Sequence, residues 1–231
     1  APVLLVGEPG TGREAFARYM HSLGPRAAGP FVAVTCASLD DATAAARLRG
    51  TVTDGRVEPG FYEQARGGTL FLGGLEDLTS QAQRLLLADL EQRGWQRAGA
   101  PEITPFDMRL VSAALPGHDG PASGLRRDLL AHLEVISIRI PPLREYAEDV
   151  PELLRHYVDR LVDEEGMPFR RFSVAAQNRL RNYPWPGNVR ELRNLVQRVL
   201  IMGGPEEIGL EEIEQHLVVQ QAPDEPLVKQ D

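Results

Sequence analysis

The stretch that most restricts this chain is a glycine-rich turn between an apolar run and an amphipathic one. Residues Pro2 to Val6 are apolar and end on Gly7, as a buried parallel strand does. Gly7-Glu8-Pro9-Gly10-Thr11-Gly12-Arg13-Glu14 follows, and the spacing of Phe16, Ala17 and Met20 predicts a helix over about 14–21. Strand, glycine loop and helix form the context that a phosphate-cradling loop requires. Glycines let backbone N–H groups turn inward around an anion, and the helix N-terminus adds partial positive charge. Arg13 stands where such loops carry the lysine that reaches the outer phosphates. Arginine keeps the charge but is larger, planar and forked. Two readings follow: Arg13 still holds phosphate weakly, or the loop survives because the fold needs its turn.

Beyond the loop the pattern alternates. Strands are expected over 31–35, 69–72, 108–113 and 135–140, with a leucine-rich helix over 80–92. Strands alternating with helices argue for an α/β fold with a parallel sheet covered on both faces. The character changes at Pro141-Pro142. From there the pattern is helical, with helices expected over 148–164, 174–182, 189–202 and 210–217 and a turn at Pro184 to Gly187. The organisation expected is an α/β core over 1–142, a helical domain over 143–219, and a polar linker over 220–231 carrying Pro223 and Pro226.

Composition narrows the partners. The net charge is −8 and the sequence pI about 5.2, which argues against this segment gripping DNA by itself. No apolar run approaches the roughly 18 residues of a membrane helix, so no membrane association is expected. The first residues do not resemble a signal peptide. The single cysteine, Cys36, fits a reducing compartment, and a cytoplasmic location is expected. The sole lysine is Lys229, so Arg13 also has a purely compositional explanation.

Three further segments carry a family resemblance: Gly60 to Leu72 (GFYEQARGGTLFL), Pro141 to Glu145 (PPLRE) followed by Glu148-Asp149, and Trp185 to Asn194 (WPGNVRELRN). In order and spacing, nearly the whole chain resembles the AAA+ central domain of sigma-54-dependent bacterial enhancer-binding proteins, the NtrC-type response regulators. The resemblance implies a P-loop three-layer αβα domain with a parallel sheet, followed by a small α-helical lid. It implies ATP or ADP at Gly7, Glu8, Gly10, Thr11, Gly12, Arg13 and Glu14. Arg190 matches the sensor II position, where it either touches nucleotide or pairs with nearby acids on the lid. Arg126 matches the first arginine finger, read either as an interface residue or as a solvated charge beside Arg127. The implied partners are further copies of the chain (dimers more than rings), RNA polymerase, and DNA through a domain outside this segment.

The departures from the family pattern lie in its chemistry. Where the family has Asp-Glu to organise Mg²⁺ and activate water, this chain has Gly73 and Gly74. Glu76 and Asp77 follow closely, but Asp77-Leu78 already matches a downstream pair in the family, which argues against a slipped replacement. Thr35 replaces the asparagine that restrains the catalytic glutamate. Ala114 and Leu115 replace the polar sensor I pair, and His132 replaces the second finger. Each such group is typically worth ~10²-fold or more in rate. The expectation is therefore a non-catalytic regulatory and oligomerisation module, with no catalytic residue, no protein metal site and doubtful use of Mg²⁺. The 51–59 stretch also lacks the family's Gly-Ala-Phe-Thr-Gly-Ala loop, so action independent of sigma-54 is expected. Two alternatives stand beside this reading. One is a sensor of a phosphorylated ligand such as cyclic di-GMP, with Arg13, Arg18 and Glu145 as contacts. The other is a weak ATPase using Arg13 and another carboxylate.

Overall fold

The computed structural model describes residues 1–53, 56–97, 100 and 102–221, with side chains described up to residue 217 except that of Thr53. The linker read beyond residue 221 lies outside the described residues. The chain divides into two units, Ala1–Pro141 and Pro142–Asp231.

The first unit is built on five parallel strands: β1 (Val3–Val6), β2 (Phe31–Thr35), β3 (Thr69–Gly73), β4 (Arg109–Ala114) and β5 (Ile136–Arg139). Their spatial order is β2-β3-β4-β1-β5. Val3 of β1 faces Val111 of β4 on one side and Ile136 of β5 on the other. The chain leaves β1 for the far edge of the sheet, whereas β5 returns beside β1. The loop after β1 thus sits where the strand order reverses, the place at which open α/β sheets bind ligands beyond their carboxyl ends.

The apolar runs read as continuous because both faces are covered. Leu4, Val34, Leu70, Leu72 and Leu110 point to one core, with Leu86 of helix α4 (Ser80–Gln92) and Leu129 of helix α5 (Arg127–Leu133). Val3, Leu5, Phe71, Val111 and Ala113 alternate to the other, where Ala17 of helix α1 (Arg13–Ser22) packs. Thr79 caps α4 by accepting a bond from the Ala82 N–H at 3.1 Å.

The sequence reading missed α5, two short helices and a hairpin between β2 and β3. These are α2 (Ala44–Arg49), the hairpin Thr51–Thr53 with Arg56–Glu58, and α3 (Phe61–Gln64). The neck of the hairpin is tight: a Cβ on Gly60 would lie 2.3 Å from the Gly50 backbone nitrogen. Arg49 next to this neck makes a bidentate pair with fully buried Asp89 of α4, at 2.5 and 3.0 Å, and Tyr62 donates to the same carboxylate at 3.2 Å.

The second unit packs α6 (Val150–Glu165), α7 (Val174–Arg181), α8 (Asn188–Met202) and α9 (Leu210–Gln221) around one core. Arg170, 2% exposed, holds α9. It pairs with both oxygens of Glu212 at 2.8 Å and donates to the carbonyls of Pro205 and Val199 at 2.7 Å. A buried guanidinium is tolerated here because each of its three nitrogens has an acceptor and Glu212 balances its charge. No helix among the described residues is long and apolar enough to cross a membrane.

Candidate functional site

The glycine loop begins where β1 ends. The Gly7 N–H donates to the Ala114 carbonyl at 3.2 Å and the Ile140 N–H to the Val6 carbonyl at 2.7 Å, so both neighbouring strands grip its root. Position 7 cannot carry a side chain, since a Cβ would lie 2.9 Å from Thr11 Oγ1 and 3.0 Å from the Ile140 carbonyl oxygen. The Thr11 hydroxyl is buried and donates to the Glu8 carbonyl at 2.9 Å, closing the turn from inside. Gly10 and Gly12 take left-handed φ values of 80° and 87°. No side chain caps α1, and the Gly12 carbonyl accepts the first helical bond, from the Phe16 N–H at 2.9 Å. An uncapped helix start behind a glycine turn fits an anion.

The residues of this motif divide by role. Arg13 is half-buried at the first helical position. Glu14 is exposed and bonded to Arg18 at 2.8 Å, and Arg18 lies over the Phe31 ring at 4.4 Å. Both charged groups of that pair are thus engaged along the outside of α1.

The end of β3 is different. Leu70, Phe71 and Leu72 are buried, and the strand runs out into Gly73 and Gly74. Gly74 has φ 76°, and a Cβ there would meet Asp77 Oδ2 at 2.9 Å and Glu76 Oε1 at 3.8 Å. The short turn Leu75–Asp77 therefore folds the Asp77 carboxylate back beside the position where a side chain on residue 74 would begin. Sequence matching gave no sign of this return. Glu76 Oε2 is buried without a hydrogen-bond partner among the described residues. Both carboxylates also bear on Cys36 at the end of β2. Burial first, then Glu76 and Asp77, push its thiol from 9.0 to about 12. Thr35 is exposed and in register with Gly73. Ala114 is fully buried and Leu115 half-buried at the end of β4, where they offer no polar side chain. Among the described residues no group of three or more His, Cys, Asp or Glu could hold a metal ion.

Two further positions lie away from the loop. Arg126 opens α5, its guanidinium exposed and paired with Asp128 at 2.5 Å. Its backbone is fixed by Gln83, a buried polar residue that the sequence reading missed. Gln83 accepts from the Arg126 N–H at 2.9 Å and donates to the Leu78 and Gly124 carbonyls at 3.1 Å. His132 is half-buried on the same helix.

In the second unit the Trp185 to Asn194 motif is mostly architecture. The Trp185 indole is fully buried and donates to the Leu180 carbonyl at 2.9 Å. Asn188, also buried, accepts the Leu143 N–H at 2.8 Å. Glu191 accepts the Gly187 N–H at 2.7 Å. Arg190 is exposed and makes no hydrogen bond or ion pair among the described residues, whereas Arg193, also exposed, pairs with Glu165 at 3.8 Å. The pairing with lid acids anticipated for Arg190 is absent there.

Comparison with known proteins bears on these features. A family model described as the sigma-54 interaction domain matches residues 1–139, and one for the AAA+ ATPase lid domain matches 144–230. The DNA-binding transcriptional regulator NtrC of Rhizobium meliloti is 37% identical over 98% of this chain and 48% of its own length. The sigma54-dependent transcriptional regulator SfnR of Pseudomonas fluorescens is 35% identical over 87% of this chain and 57% of its own. The crystal structure of NtrX from Brucella abortus in complex with ATP superposes with TM-score 0.84 at 29% identity, covering 95% of this chain and 53% of that one. Its complex with ADP gives TM-score 0.80. The chain spans about half the length of the curated relatives it matches.

These findings correct one expectation. Independence from sigma-54 was inferred from the missing loop motif, yet the matched domain is the sigma-54 interaction domain and the relatives include a sigma54-dependent regulator. The structure gives the physical reason. The motif letters are absent, but the stretch still forms a hairpin, with Val57 52% exposed beside the exposed Arg56 and Glu58. The loss of the motif letters is therefore not the loss of structure in this stretch. Together the two matches and the parallel β2-β3-β4-β1-β5 sheet with its glycine loop establish that the chain belongs to the sigma-54 interaction family of AAA+ domains, joined to an AAA+ lid.

Proposed function

We propose that this chain is the nucleotide-responsive AAA+ module of a longer transcription regulator that engages sigma-54 RNA polymerase, and that it holds ATP or ADP without hydrolysing it. The observation carrying this reading is the contrast at the carboxyl edge of the sheet. The phosphate-cradling turn is built and closed, while β3 ends in Gly73 and Gly74 with no carboxylate at either position. Nucleotide complexes of NtrX, which shares the fold at 29–30% identity, support ATP or ADP as the occupant. Cyclic di-GMP is the competing occupant of the same loop.

Arg13 would hold the outer phosphates there, and the backbone N–H groups from Gly10 to Arg13 would line their cradle. Mg²⁺ would find no protein carboxylate at positions 73 and 74 themselves, and the acid beside them is Asp77, folded back to within 2.9 Å of where a Cβ on Gly74 would lie. Bound nucleotide then acts by the difference in its affinity for alternative states of the chain, as any effector must. Self-association, and DNA contact through a domain outside this segment, belong to the same proposal.

The test is calorimetry with Mg-ATP, ADP and cyclic di-GMP beside a phosphate-release assay, with sigma-54 capture measured in each state. Saturable ATP or ADP binding with no release above background supports the reading. Steady turnover refutes the non-catalytic part. Absence of binding to every nucleotide refutes the nucleotide part. Capture of sigma-54 that ignores nucleotide refutes the coupling.

A further inference from the structure

The second unit carries a recess that the nucleotide reading does not use. It opens between α6 and the segment leading into α7, and its lining runs from Pro151 to Gln177, well inside the described chain. Leu154 and Val158 stand one turn apart on α6. Phe172 joins them from the short strand Arg171–Phe172, which pairs with Glu207–Ile208, and all three belong to the core of the unit. The volume is about 190 Å³. Sites that enclose a small organic molecule begin at about 300 Å³, so this recess suits one large side chain rather than a whole ligand.

The rim differs from the base. Phe169 borders the recess with 53% of its surface exposed. Arg155 of α6 and Arg171 of the short strand flank it, both exposed, and neither guanidinium makes a hydrogen bond or ion pair among the described residues. Other arginines of this unit are engaged: Arg160 with Glu164, Arg170 with Glu212, Arg179 with Glu214 and Arg181 with Glu148. Asp159 also lines the recess, one turn after Arg155 on α6, and the two form no ion pair. A base four residues before an acid is the less favourable order on a helix.

An exposed arginine is ordinary by itself, and so is a single exposed aromatic. Their conjunction around an apolar recess is not. Arginine and aromatic side chains beside a pocket that sheds its water are the composition of the energetic centres of protein interfaces. Two guanidiniums against one carboxylate give this rim a positive balance, on a chain whose net charge is −8. The surface that complements it is acidic, with one apolar side chain projecting.

We propose that this recess docks an acidic segment of a partner protein. A leucine-sized side chain of that segment enters against Leu154, Val158 and Phe172, and carboxylates on either side of it pair with Arg155 and Arg171. Phe169 covers the inserted side chain from the rim. The site lies wholly in the second unit and needs no residue of the glycine loop.

The test is fluorescence polarisation of the 231-residue chain with a fluorescein-labelled Gly-Glu-Asp-Leu-Asp-Glu peptide as probe. Saturable binding is expected. Replacing the leucine of the probe by alanine should weaken it about tenfold or more, the worth of burying that side chain. Arg155→Ala and Arg171→Ala should each weaken it about threefold, as exposed ion pairs do, and the difference should shrink in high salt. Because both arginines are exposed and unpartnered among the described residues, neither variant should change the melting temperature. Arg193→Ala, an exposed arginine elsewhere in the unit, should leave binding unchanged. Three results overturn the proposal: no saturable binding up to submillimolar chain; equal binding of the alanine probe or of a probe with Gln and Asn for its acids; or a loss in Arg193→Ala equal to that in Arg171→Ala. Two more assign the recess to another occupant and overturn it as well. A synthetic peptide of residues 222–231 that displaces the probe at lower concentration than unlabelled probe does would assign it to the chain's own tail. Self-association in sedimentation that disappears when Arg155 and Arg171 are both replaced by alanine would assign it to a second copy.

Discussion

The ends of β1 and β3 lie at the same edge of one sheet, and they carry different kinds of information. The loop after β1 is defined by backbone: a glycine with no room for a Cβ, two left-handed glycines, a buried threonine turned onto a carbonyl, and an uncapped helix. The end of β3 is where the family places side chains, and here it offers none at Gly73 and Gly74. Gripping phosphate relies on main-chain geometry that the fold itself needs. Hydrolysis relies on carboxylates that the fold can do without. One ability can therefore be lost while the other persists, and each half of that statement can be attacked separately.

The largest effect should come from the backbone half. Gly7→Val drives branched carbons into Thr11 and the Ile140 carbonyl; the first withdraws only by giving up its bond to the Glu8 carbonyl, the second only by opening the strand pairing. We expect a loss of about 3 kcal/mol by denaturant unfolding, with nucleotide binding abolished. A variant of normal stability would show that the loop is looser than its contacts imply.

Next comes the second unit, where the same division recurs within one motif. Asn188→Ala leaves the buried Leu143 N–H without its acceptor and should destabilise by roughly 1–3 kcal/mol. Exposed Arg190→Ala should change stability by less than about 0.5 kcal/mol. Equal effects at the two positions would contradict the reading of Asn188 as architecture and Arg190 as an outward arginine.

Arg13 separates the two readings of the loop. If it holds phosphate, Arg13→Ala should weaken ATP and ADP about tenfold with little change in the ligand-free melting point. An unchanged affinity would leave the loop as a turn kept for folding.

A smaller effect is expected at β3. Gly74→Glu restores the acid that the family carries, but into a left-handed backbone and against the Asp77 carboxylate. We expect a loss of roughly 1–2 kcal/mol and no ATPase activity. Turnover in that variant with none in the parent chain would show that the acid at position 74 alone restores hydrolysis.

The sequence disclosed these regions unevenly. The glycine loop was legible because each of its letters answers a backbone demand, and the parallel sheet was legible because strands buried on both faces read as unbroken apolar runs. The order of the strands was not, since nothing in β5 itself states that it pairs with β1. Arg49 and Asp89, forty residues apart, look like ordinary surface charges until the fold brings them together below the hairpin. Asp77 was matched to a downstream pair along the chain, and matching could not reveal that its carboxylate turns back to Gly74. The inference of sigma-54 independence failed for a related reason. It treated the loss of letters as the loss of an element, and Thr51–Thr53 still pairs with Arg56–Glu58.

The smallest predicted effect concerns Cys36, which touches the comparison because Glu76 and Asp77 both act on it. Burial and these two carboxylates raise its thiol from 9.0 to about 12 in the folded chain. The folded state therefore keeps its proton to higher pH than the unfolded state. Between those two values the unfolded chain binds fewer protons, so stability falls as pH rises. Below the unfolded value both states are protonated and the contribution is fully present. Unfolding free energy should be flat with respect to this group up to pH ~8, and should decline above about 9. Alkylation by iodoacetamide should be negligible in the native chain and rapid after unfolding. Replacing Glu76 and Asp77 together by Gln and Asn removes the secondary causes but not the burial, so native Cys36 should stay unreactive. Ready alkylation in that double variant would mean that the carboxylates, not burial, protect the thiol, and that the acids behind Gly74 shape this end of the sheet more than burial does.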